Sequence, residues 1–146
     1  MQSTVKHKTF WKDETPAKVE RHSRKLSRKA ESDATKQEAK RRDGFRCRWP
    51  HCEYKAVTET LEAAHIHAAG MGGDPKQIRT TRDNLIAMCD MHHRRAPQNM
   101  HNGGLKVEPT TRKGTDGSVE FWRWSKDERR YHMVARERSN GILERD

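Results

Sequence analysis

The three cysteines of this chain fall into two short clusters, Cys47-x4-Cys52 and Cys89-x2-His92, the second closed by a histidine. Two close-spaced pairs, each able to sit on a tight turn, are what a tetrahedral Zn2+ site requires. Four protein ligands leave no open coordination position, so the expected ion is structural. His93 stands next to His92 and could supply the fourth ligand in its place. Three thiols cannot all pair within one chain, so a reduced, intracellular setting is expected rather than a disulfide framework. The composition explains why a staple is needed. Only 31% of residues are hydrophobic and 36% are charged, too few apolar groups for a large core.

The charge has a direction. The net charge of +10 points to a polyanionic partner, most often nucleic acid. Residues 1–43 hold 13 Lys and Arg against seven Asp and Glu, so the N-terminal arm carries most of the excess. No apolar run approaches the roughly 20 residues of a membrane span, and the first 18 residues lack the apolar segment of a secretory signal. No membrane association is expected, and the expected location is the cytoplasm.

Four regions follow from the texture of the chain. Residues 1–42 form a basic arm, helical from Pro16 to Arg42 because that stretch has no Gly and is rich in Ala, Glu, Lys, Arg and Gln. Its apolar positions, Val19, Leu26, Ala30 and Ala34, are too sparse for a well-buried face, so a solvated helix and a DNA-contacting arm are both open. Residues 43–104 form a small core. Here a Pro- and Gly-flanked turn bears Cys47 and Cys52, and a short strand is expected near residues 54–66. A glycine loop follows at 70–75, then a second apolar run at 84–89 and a helix from Asp90 with that residue as a possible N-cap. Residues 105–125 read as a β-hairpin turning at Asp116-Gly117. Residues 126–146 are a charged tail, either a short helix or disordered. Phe121-Trp122-Arg123-Trp124 could stack on bases, but packing on the small core is the favoured reading.

Between the metal pairs lies an ordered set: Ala64-His65-Ile66-His67, then Gly72-Gly73, then Asn84-Leu85, then Cys89 to His93. Together with the Cys47/Cys52 pair, this array over residues 43–95 resembles the HNH endonuclease family, phage members included, and His101 sits in a His-Asn-Gly stretch like that of some of them. The resemblance implies an α+β chain with a small ββα-metal core, a zinc staple, a basic helical arm and a C-terminal β-hairpin. It also implies metal-dependent hydrolysis of phosphodiester bonds in duplex DNA to 5′-phosphate and 3′-hydroxyl ends. His65 would be the general base, Asn84 would order the loop holding its ring, and His93 would bind one catalytic divalent cation, Mg2+, Mn2+ or Ni2+. Such proteins work in bacterial or phage-infected cells.

One position departs from the pattern. Family members place Asp or His directly before the general base, as a metal ligand, and here that residue is Ala64. Glu62, His67 and His101 are the candidate replacements. The alternative is a catalytically degenerate, zinc-stapled DNA-binding module. Arg94 and Arg95 would flank the scissile phosphate, and Arg41 and Arg42 at the end of the arm are further DNA contacts. His7, His22, His51 and His132 read as surface histidines.

Overall fold

The computed structural model describes residues 15–53, 60–68, 78–137 and 143–144. The residues of the expected glycine loop at 70–75, those at 1–14 and those at 54–59 lie outside this set, as does His7. The chain forms two compact units, Met1–Glu31 and Ser32–Asp146, so the expected arm of residues 1–42 is divided between them. Among the described residues no helix is long and apolar enough to cross a membrane.

Helix α1 runs over Pro16–Arg42. Pro16 sits at the first helical position, where its missing N–H costs nothing, and the Thr15 carbonyl accepts from Lys18 N at 2.8 Å. Residues 15–31 are exposed throughout, and Ala39 is the helix's one buried residue. The helix stops in a Schellman arrangement. Gly44 takes φ +68°, while Phe45 N donates to Lys40 O at 2.8 Å and Gly44 N to Arg41 O at 3.0 Å.

In the second unit, β1 (Leu61–His65) and β2 (Leu85–Cys89) form a two-stranded antiparallel sheet, with Ala64 opposite Ile86 and His65 opposite Leu85. All five residues of β2 are buried, so the apolar run at 84–89 is a strand covered on both faces. Strands β3 (Leu105–Pro109), β4 (Val119–Ser125), β5 (Arg130–Glu137) and β6 (Leu143–Glu144) form a second sheet in that order. The core lies between them. Trp49, Ile86, Met88, Leu105, Val107, Val119, Phe121 and Ala135 pack together with Cys47 and Cys89 at its edge.

Three expectations are corrected here. The stretch after Ser125 is neither helix nor disordered over Arg130–Glu137, because β5 pairs along β4 and adds Ala135 to the core. The hairpin does not turn at Asp116-Gly117. Residues 110–118 connect the strands through a short 3-10 turn at Gly114–Asp116, seated against Asp83 so closely that a Cβ on Gly114 would meet Asp83 O at 2.2 Å. Asp90 does not cap the following helix. Its carboxylate instead accepts from Thr60 N at 3.2 Å and pairs with Arg95 at 2.6 Å, and the helix is one wide π-type turn at Met91–Arg95.

A polar network ties these parts. Arg42 donates through Nη2 to Leu85 O (2.7 Å) and Asp43 (2.9 Å), and through Nη1 to Arg82 O (2.8 Å), Thr115 Oγ1 (2.9 Å) and Asp116 (3.0 Å). Its Nε reaches Asp43 at 2.8 Å. Asp43 also accepts from Ala87 N at 2.9 Å, on the outer edge of β2. Arg48 grips Glu137 of β5 with two bonds of 3.0 and 2.6 Å and donates to Thr115 O. Bidentate pairs of this kind fix position as well as charge.

Candidate functional site

The Cys47 turn, the end of β2 and the Met91–Arg95 turn converge on one cluster. The ligand atoms of Cys47, Cys52, Cys89 and His92 all lie within 4.8 Å of one another. Cys52 Sγ is 3.8 Å from Cys89 Sγ, and His92 Nδ1 is 3.6 Å from Cys47 Sγ and 3.1 Å from Cys89 Sγ. A tetrahedral zinc sets its ligands about 3.8 Å apart from sulfur to sulfur and about 3.5 Å from sulfur to nitrogen, as follows from its bond lengths. The four side chains therefore fit such an ion and can hold a structural metal like zinc. His92 is the fourth donor, and His93 points elsewhere. Trp49 covers the His92 ring in a stack at 5.8 Å and meets Phe121 edge-on at 5.4 Å, which joins the cluster to the core. Burial pushes the Cys47 thiol up to about 11, and burial with the neighbouring thiols pushes Cys52 higher still. A bound cation removes that penalty by stabilising the thiolates.

The next residue on the same turn serves a different place. His93 donates from Nδ1 to Glu62 Oε2 across on β1, and the other Glu62 oxygen pairs with Arg94 at 2.5 Å. Burial lowers the pKa of His93; Glu62 opposes this, while His101 and Arg94 lower it further, so the net shift favours the neutral ring. His101 packs edge-on against His93 with ring centroids 4.5 Å apart. The loop brings it back because His101 N donates to His93 O at 3.1 Å and because Asn99 and Asn102 brace the turn reciprocally, at 2.9 and 3.1 Å. His65, His93 and His101 line one cleft of about 730 Å3, with Lys106 and Tyr131 on its far wall. Thr80 Oγ1 lies 3.1 Å from His65 Nε2. Among the described residues, no second set of three or more His, Cys, Asp or Glu side chains closes as tightly as the Cys/His cluster.

Asn84 ties the loop that follows His65. Its Oδ1 accepts from His67 N at 3.0 Å, and its Nδ2 donates to His67 O at 3.1 Å and Arg79 O at 2.7 Å. His67 itself is exposed. Ala64 is fully buried in the core, so the strand position without a donor atom faces packing rather than the cleft. Of the arginines expected on DNA, Arg94 and Arg95 are more than half exposed, though paired with Glu62 and Asp90, and Arg41 is exposed. Arg42 is a correction. All its N–H groups are engaged within the fold, which leaves no donor for a phosphate. Trp122 and Trp124 are partly buried beside the buried Phe121, and His132, expected at the surface, is partly buried beside Glu128. His22 and His51 are exposed.

Sequence reasoning did not find Thr80, Asn99 or Asn102. Each is a short polar residue whose partner is a backbone or ring atom supplied by the fold, which leaves no spacing signal. No protein family, curated protein or solved structure matches this chain.

Proposed function

We propose that this protein is an HNH-type, metal-dependent endonuclease that hydrolyses phosphodiester bonds in double-stranded DNA, with zinc as its structural ion. The observation that supports this most is the shared cleft, in which His65 on a strand end faces His93 and His101 on a turn stapled by the Cys/His cluster. A phosphodiester resists attack because it is anionic and its leaving alkoxide is poor. A divalent cation held by His93, with His101 as a further donor, would supply charge neutralisation at the phosphate and the leaving oxygen. His65 takes the proton of the attacking water. Asn84 keeps the backbone after His65 in place, and Glu62 holds the His93 ring through Nδ1, leaving Nε2 as its donor atom. Arg94 and Arg95 lie on the same turn and can meet flanking phosphates.

The burial of Ala64 favours a second reading, a zinc-stapled DNA-binding module without catalysis. A plasmid-nicking assay with Mg2+, Mn2+ or Ni2+ separates the two. The nuclease reading expects nicked or linear product that is lost in His65→Ala. A wild type that binds DNA but cuts with none of these ions establishes the module instead.

A further inference from the structure

We propose that helix α1 binds double-stranded DNA through a basic face between Lys18 and Lys29, lying in the major groove with phosphates on both sides. Six Lys and Arg fall between these positions against one acid, Glu20. At 3.6 residues per turn all six fall within an arc of about 140°. Arg21 and Lys25 run along its middle, Arg24 and Arg28 flank one side, and Lys18 and Lys29 flank the other. Every one of these residues is exposed.

The arc is wider than a single phosphate wall can use, and two walls suit it. The major groove is about 12 Å wide, which admits a helix, and the basic stretch extends about 16 Å along its axis. Over that distance the duplex carries about ten phosphate charges. The pair that Arg24 makes with Glu20 is exposed on both sides, so it is worth little and yields readily to a phosphate.

Other anionic surfaces fit less well. A membrane-surface helix needs a broad apolar face, and between Pro16 and Glu31 the helix offers only Val19 and Leu26, 51% and 54% exposed, as large apolar residues. A-form RNA has a major groove too deep and narrow for a helix. The inference shares with the proposed function only its partner, DNA. It stands or falls on binding, whereas the nuclease reading stands or falls on nicking.

The test measures binding of the full chain to a random-sequence DNA duplex by fluorescence anisotropy between 50 and 200 mM salt, without added divalent ion. The variant R21Q/K25Q/R28Q/K29Q is compared with a control of equal charge loss, R112Q/K113Q/K126Q/R129Q, all exposed and outside the helix. Glutamine keeps helix propensity, and circular dichroism with metal content checks the fold. Each lost phosphate contact lowers the slope of log affinity against log salt by about 0.9, so the helix variant should lose about 3.6 units and at least about tenfold in affinity. The control should lose less than one unit. The proposal is overturned if wild type does not bind the duplex, if the helix variant keeps its slope, or if the control loses as much. It is also overturned if duplex RNA or anionic vesicles bind as tightly with the same dependence on these four residues.

Discussion

His92 and His93 are consecutive, yet they belong to regions built on opposite terms. His92 closes a cluster whose four donors face one another, backed by a core and by the network of Arg42, Asp43 and Arg48. His93 faces a cleft that it lines with His65 and His101, its ring held by Glu62 from β1. The first arrangement spends every donor inside the protein. The second turns its imidazoles toward a cleft that another group can enter. Substitutions on the frame should therefore act on stability, and substitutions in the cleft on chemistry.

The largest effect should come from Cys89→Ser. A structural zinc contributes on the order of 10 kcal/mol to folding a small domain, so this variant should lose both its bound metal and its cooperative melt. A metal-free but normally melting Cys89→Ser protein would break the comparison at its firmer end. Next is Gly114→Ala on the frame. With φ at +58° and Asp83 O in the way, the new methyl should cost about 3 kcal/mol, read by urea unfolding.

On the cleft side, His65→Ala should lower nicking by about 100-fold or more, which corresponds to about 2.7 kcal/mol of barrier. Its unfolding midpoint and zinc content should stay near wild type. A large fall in stability would mean that His65 belongs to the frame.

The smallest effect concerns acid. Burial raises the Asp116 carboxyl, but hydrogen bonds from Arg42 and Arg82 outweigh it and hold the group below the ordinary aspartate range. A lowered carboxylate pKa contributes stability above the unfolded value, near pH 4, and loses it as pH falls through the folded value. Asp116→Asn should therefore be slightly less stable at neutral pH and lose less on further acidification below pH 4. Equal acid sensitivity in both proteins would remove Asp116 from the frame.

The legible part of this molecule was the part written in spacing. Cys47, Cys52, Cys89 and His92 announced a metal cluster because ligands on tight turns need those intervals, and the apolar run at 84–89 announced a strand or a buried segment. Strand β5 was illegible because Arg130, Arg136 and Glu137 make its ends look like solvated tail, and what holds it is pairing with β4 and the Arg48 grip on Glu137. Arg42 misled for a related reason. A basic residue at a helix end has the same local signature whether it meets a phosphate or the carbonyls of a distant strand.

The Arg48–Glu137 pair also sets an order of events during synthesis. Cys47 and His92 are 45 positions apart, and Arg48 and Glu137 are 89 apart. As the chain leaves the ribosome, helix α1 can form from local bonds alone, and the metal ligands are complete once His92 has emerged. The guanidinium of Arg48 has Asp43, its 3.4 Å partner in the finished fold, from the start, but must wait for 89 further residues before Glu137 arrives. A nascent chain paused between those points has all four Cys/His donors beside an arginine that still lacks the two bonds of its bidentate partner. Chains that end between residues 92 and 137 should therefore still bind metal and yet be the preferred substrates of cellular proteases.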